Sequence, residues 1–235
     1  MPTPATYEDV PAPLPQLFTP PEEMLAKLRS RVEERGWPLS RDQLDDLAAN
    51  VPAVPSEWLV DLSFDIWLGD LETTMTELIE WLRDELPGFT LWEAVTFDPD
   101  HLRLLDPGRY GHEPSVGWVT IDYAANFTPA SSGAWASRDD TDGRPPAEVR
   151  DPVTSAGLEL VTALALHHAH YIPNLDYQEV PGFWVPGLQV SVAGEEPWQR
   201  VPQLALIRGP RFVMLFAGFD VHRDCYYSLP VRTGS

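Results

Sequence analysis

The hydrophobic period changes along this chain, from that of a helix in the first half to that of a strand in the last third. Met24, Leu25, Leu28 and Val32 recur at helical spacing, behind Pro20-Pro21 and ahead of Gly36-Trp37-Pro38. Proline is tolerated in the first turn of a helix and glycine is favoured just past its end, so these residues bracket one helix. Ser40 is placed to cap a second, which carries Leu44, Leu47 and Ala48. The clearest stripe is Leu71, Met75, Leu78, Ile79, Leu82 and Leu86, opened by Asp70 and stopped by Pro87-Gly88. A short helix capped by Asp98 is expected over 97–105. Another is expected from Thr154 or Ser155 to Tyr171, with Leu158, Val161, Leu164 and Ala165 facing inward.

Short apolar runs then take over, at 188–192, 203–207, 212–216 and 226–229. Gly209-Pro210 between the second and third reads as a tight turn. Short connections cannot join parallel strands, so an antiparallel meander is expected. Earlier in the chain, 116–123 reads as a strand with Val119, Ile121 and Tyr123 on one face. In 58–67, Trp58, Val60, Leu62, Phe64 and Ile66 alternate with Asp61, Ser63 and Asp65, the pattern of a half-buried strand. A helix starting at Ser56 is the competing reading. Helices first and strands last, without strict alternation, predict an α+β fold. Its expected form is an N-terminal helical hairpin and further helices packed on a mainly antiparallel sheet, closed by a C-terminal β-meander.

Residues 1–20 hold six prolines and little apolar periodicity, and read as a flexible arm. Residues 21–235 read as one domain, interrupted by a polar stretch at 128–151 that is long for a loop in a compact domain. A hydrophobic fraction of 43% supplies a core without help from disulfides. None can form within the chain, because Cys225 is the only cysteine. That favours a reducing compartment, and with no apolar leader or membrane-length segment the expected location is the cytoplasm.

The formal charge is −20, and Lys27 is the only lysine. Residues 51–100 carry twelve Asp or Glu against Arg83 alone. Such a surface repels phosphate backbones and anionic membranes, so neither nucleic acid nor a bilayer is an expected partner. Acidity of this kind serves solubility in the first place, and beyond that it suits a basic protein partner or a nucleic-acid mimic.

Four clusters could carry chemistry. His167, His168 and His170 sit near a helix end, and His167 and His170 share a face. With a third ligand such as His222, Asp220 or Asp224 they could hold a metal or do acid–base work; otherwise they complement the helix dipole. Asp139, Asp140 and Asp142 before Gly143 have part of a calcium-loop pattern. Arg138 and Val149 stand where it needs acids, so a solvated loop is expected. Asp61, Asp65 and Asp70 could gather carboxylates, but on a strand Asp61 and Asp65 are most simply its wet side. Cys225 is expected as a small core residue, its side chain turned away from that of His222. Among the aromatics, Trp135 in its polar loop and Trp184 are candidate contact points, beside Asp139, Asp140 and Asp142.

The chain also carries Val-Thr-Ile-Asp-Tyr (119–123), Val-Thr-Ser-Ala-Gly-Leu-Glu-Leu-Val-Thr (153–162) and Val-Pro-Gln-Leu-Ala-Leu-Ile-Arg-Gly-Pro-Arg (201–211). It has Ala-Gly-Phe-Asp-Val-His (217–222) as well, and upstream Arg-Gly-Trp-Pro-Leu-Ser (35–40) and Phe-Asp-Pro-Asp-His-Leu (97–102). In the order of these motifs, over roughly two thirds of its length, the chain resembles a family of uncharacterised actinobacterial proteins. It departs from that layout in the 128–151 loop, the proline-rich arm and Gly-Phe-Trp-Val-Pro-Gly (182–187). The resemblance implies a bacterial, cytoplasmic, single-domain protein and carries no activity with it.

No nucleophile elbow, phosphate-binding loop or dinucleotide fingerprint is present. The expected function is therefore a non-enzymatic acidic module that engages a protein partner and needs no cofactor. The competing readings are a small metal-dependent hydrolase built on His167, His170 and His222, and a virus-derived or structural assembly component. Sequence does not set the oligomeric state.

Overall fold

The computed structural model describes residues 19–53, 60–85, 89–91, 97–122, 127–129, 135–137, 157–171, 182–206, 212–218, 226–228 and 231–233. Helices α1 (Pro21–Arg35) and α2 (Arg41–Ala49) form the expected hairpin. Gly36 ends α1 in the left-handed conformation, at φ 65°, which glycine adopts without a Cβ penalty. Ser40 caps α2 through a reciprocal pair of bonds: its hydroxyl accepts from the Gln43 amide N–H, and the Gln43 side chain accepts from the Ser40 N–H. Ser40→Ala is expected to lower stability by about 1 kcal/mol in denaturant titration, with Ser40→Asn close to wild type.

Strand β1 (Val60–Trp67) bears out the alternating pattern over 60–67, and Ser56 and Trp58 lie outside the described residues. It pairs antiparallel along its whole length with β4 (Ser115–Asp122), from Val60 opposite Asp122 to Trp67 opposite Ser115. Helix α3 (Leu71–Glu85) buries Met75, Leu78, Ile79 and Leu82 as its spacing predicts, and Trp81 besides. Asp70 caps it, its carboxylate accepting from the Thr73 N–H at 2.7 Å. Helix α4 (Leu158–Tyr171) packs on β1 and α3.

The order of elements is α1, α2, β1, α3, then β2 (Thr90–Leu91), β3 (Leu102–Leu104), β4, β5 (Phe127–Pro129), β6 (Trp135–Ser137) and α4. After α4 come β7 (Gly182–Trp184), β8 (Leu188–Val190), β9 (Arg200–Leu206), β10 (Phe212–Gly218), β11 (Tyr226–Ser228) and β12 (Val231–Thr233). The fold is α+β. One sheet runs β1-β4-β12, a second runs β11-β7-β9-β10-β2 with β3 and β8 attached, and β5 pairs with β6. Among the described helices, none is long and apolar enough to cross a membrane.

Several expectations change in detail. The 97–105 segment makes a single turn at Asp98, which accepts from the His101 and Leu102 N–H groups, and then becomes strand β3. The meander holds for β8, β9 and β10, which pair antiparallel in sequence, but β11 joins β7 in parallel. The turn at Gly209-Pro210 lies outside the described residues. The 128–151 segment begins with a β5–β6 hairpin in which Trp135 stands opposite Pro129. The arm is anchored at its end: Thr19 is buried, and its hydroxyl donates to the Leu166 carbonyl at 3.0 Å. Residues 1–18 lie outside the described residues.

Candidate functional site

Strand β1 is covered on both faces, which the alternating sequence does not announce. Leu62, Phe64 and Ile66 are buried on one side, and Ser63 and Trp67 on the other. The second side faces α4, where the Ser63 hydroxyl donates to the Glu159 carbonyl at 3.0 Å. Asp65 lies on that side too. It is therefore not the wet position expected from period two; its side chain is 14% exposed. The Asp61 side chain lies outside the described residues, and Asp70 works at the start of α3.

Burying a carboxylate requires partners. Asp65 takes them from the loop at 105–114. The Arg109 Nη2 donates to Asp65 Oδ2 at 3.3 Å and to Glu159 Oε1 at 2.7 Å, so one guanidinium nitrogen bridges two carboxylates. The Tyr110 hydroxyl donates to Asp65 Oδ1, and its ring stacks on Trp67 with centroids 4.6 Å apart. The Trp67 indole N–H donates to the Gly111 carbonyl at 2.8 Å, which pins the loop to β1. Glu159 is fully buried, and its Oε2 has no hydrogen-bond partner among the described residues. Gly157 makes room for it, since a Cβ there would stand 3.2 Å from that oxygen.

Two acids and one base in a dry site cannot all be satisfied as ions. Burial, with the Asp65 charge added, pushes the Glu159 carboxyl up to about 7, against the pull of Arg109. Burial also raises Asp65, opposed by Arg109 and Tyr110. Burial works against the Arg109 charge, but the carboxylates of Glu159 and Asp65 outweigh it, and the guanidinium is held more firmly charged than usual. Burial and the neighbouring carboxylates keep Tyr110 a neutral donor.

The cluster forms one wall of a cleft of about 770 Å³. The opposite wall is the C-terminal end of α2 and the residues after it, including Asp46, Asn50 and Pro52. The floor is β4 from Ser115 to Val119. Trp118 is held there by its indole N–H, which donates to the Leu47 carbonyl at 2.9 Å. A second hollow of about 440 Å³ lies beside the start of α3, between Asp70, Phe97 and Arg103.

The other expected site residues fare differently. Trp184 is completely buried, so it is core and not a contact point. His167 is also buried: Nδ1 accepts from the Thr19 N–H at 3.1 Å, and Nε2 faces the Leu62 carbonyl at 3.0 Å. That pattern fixes the neutral Nε2–H form and leaves no lone pair for a metal. It also replaces the expected role of His167 at its own helix end. Among the described residues no group of three or more His, Cys, Asp or Glu is arranged to hold a metal ion. The side chains of His168, His170 and Trp135, and all of Asp139, Asp140, Asp142, Asp220, His222, Asp224 and Cys225, lie outside the described residues.

Sequence reasoning passed over Arg109, Tyr110, Glu159 and Gly117. Two signals were present. Glu159 is the lone charge in a run that is otherwise apolar on every side, and a helix apolar all round is buried, so its one acid must be paired. Gly117 interrupts a strand pattern, which marks a close approach or an open space. Comparison with known proteins adds nothing to this geometry: no family model, no curated protein and no solved structure matches the chain.

Proposed function

We propose that this chain is a non-enzymatic acidic module of the cytoplasm that engages a basic protein partner. The observation that carries the reading is the cleft on β4, a concave site walled by Asp46 and by the partly exposed Asp65 in a chain of charge −20. Concave sites with a few convergent polar groups and perturbed carboxyls are where ligands bind. Arg109 lines the cleft as well, so two carboxylates stand against one guanidinium, and the net negative charge favours cationic groups and speeds their approach.

Two features favour binding over catalysis. Glu159, the carboxyl poised near neutrality, has no exposed surface and stands behind Arg109, where a substrate does not reach it. A metal-dependent hydrolase on His167, His170 and His222 loses His167 to its two backbone partners. The assembly-component reading gains no support from the cleft.

Protein immobilised and exposed to source lysate is expected to retain a basic partner that is released as salt rises from about 50 to 500 mM, because screening shortens the reach of charge. Trp135→Ala is expected to weaken retention. Retention of no partner, or retention indifferent to both salt and Trp135→Ala, refutes the proposal.

A further inference from the structure

The floor of the cleft is a strand edge, and its register says which backbone groups face outward. In an antiparallel pair, residues alternate between exchanging both backbone bonds with the partner and turning both away. Leu62 turns its carbonyl away from β4, to His167. Its partner across the pair, Thr120, must therefore turn away from β1 as well, toward β12. By the same alternation Trp118 and Val116 also face outward. Strand β12 covers β4 only from Ile121 to Val119, where Thr233 is paired. Beyond that point no strand among the described residues pairs with the outer edge of β4, and the edge opens into the cleft.

Between those two residues sits Gly117, directly opposite Asp65 on β1. Glycine weakens a strand interior and needs a reason to be there. Neither usual reason applies. Its backbone is not in the left-handed region, and a Cβ built on it meets nothing within 4 Å. What the missing side chain does is leave the Asp65 carboxylate open along the sheet surface, with no side chain between it and the outer edge.

Resting on the binding reading above, we infer that the free edge of β4 at Val116–Trp118 accepts an extended segment of the basic partner as an added strand, with a lysine or arginine opposite Gly117 reaching across it to Asp65. Residues paired across a sheet share a face, so a side chain opposite Gly117 lies in one row with Gly117 and Asp65. Two strand spacings make about 10 Å, which a long cationic side chain and an aspartate span together. Backbone bonds to Val116 and Trp118 supply affinity, and the Gly117 slot supplies selectivity, as in other strand-addition sites. Each Asp65 oxygen already accepts one bond, Oδ1 from Tyr110 and Oδ2 from Arg109, and a carboxylate oxygen has a second lone pair for a further donor. Asp46 on the facing wall adds charge of the same sign.

The test uses the full chain and a fluorescein-labelled peptide of alternating Thr and Arg, followed by anisotropy at low salt. Its counterpart carries citrulline in place of arginine, which keeps shape and removes charge. The wild type is expected to bind the arginine peptide at least about tenfold more tightly than the citrulline one. Gly117→Val fills the slot with a good strand former, so it is expected to keep or raise Tm while weakening the arginine peptide about tenfold or more. Gly117→Ala should fall between the two. Equal binding of both peptides, or unchanged binding by a folded Gly117→Val, overturns the slot while leaving the module reading intact if the lysate partner is still retained. A self-associated chain in sedimentation that Gly117→Val dissociates also overturns it, by placing a second copy on this edge.

Discussion

Replacing Arg109 by methionine is expected to lower stability by about 3–5 kcal/mol at pH 8, the usual cost of removing one partner from a buried ionic cluster. Methionine keeps most of the apolar stem, so the effect isolates the charge. In the wild type one guanidinium nitrogen serves both Asp65 and Glu159, and Glu159 has no water to turn to. Without Arg109 the two acids face each other uncompensated, and Tyr110 alone still donates to Asp65. The cluster has an escape: a carboxyl that cannot stay charged takes up a proton. The loss should therefore shrink as pH falls, and at pH 5 the variant should lie much closer to wild type. At pH 8 the fall in Tm is expected to be on the order of 10 °C. Thermal unfolding of both proteins at the two pH values decides the matter. An equal loss at both would mean that Arg109 contributes packing and not charge.

The parts of the fold that local chemistry determines were legible. Proline at the start of α1 and glycine after it, the Ser40 cap, the Asp70 cap and the stripe of α3 all act within a turn or two of chain. So does the alternation that makes 60–67 a strand. What escaped was set by contacts distant in sequence. Period two in β1 implies one wet face and one dry face, yet α4, almost a hundred residues later, covers the side that carries Ser63 and Asp65. Residues 97–105 offer a good helix cap at Asp98, but pairing with β8 converts Leu102–Leu104 into strand β3. The aromatic count drew attention to Trp184, which the second sheet buries completely. The histidines drew attention for their chemistry, but His167 is consumed by the backbone of the arm and of β1. The cluster that does form joins Asp65 and Arg109 in the cleft wall to Glu159 behind them, from three separate segments. No spacing rule connects them.

The pH dependence of stability should carry the signature of Glu159. Its carboxyl has an unfolded value near 4.5 and is pushed by burial and by Asp65 to about 7 in the folded chain. A raised acid binds its proton more tightly when folded. Its contribution is thus fully present below about pH 4.5 and is lost as pH rises through 7, on the order of 3 kcal/mol in total. Asp65, also raised, acts in the same sense. The surface acids Asp45, Glu77, Asp98 and Glu195 are lowered by their partners, so their contribution is present above their unfolded values and lost only in stronger acid. Between pH 5 and 8 they add no slope. Asp65 and Glu159 both contribute to the wild-type slope, so the informative quantity is the difference from Glu159→Gln. Glutamine keeps the shape and the acceptor for Arg109 and never ionises. The variant is expected to gain on wild type by on the order of 3 kcal/mol between pH 4.5 and 8, read from denaturant midpoints at each pH. Parallel stability curves for the two proteins would mean that Glu159 is ionised throughout this range, held by Arg109 alone.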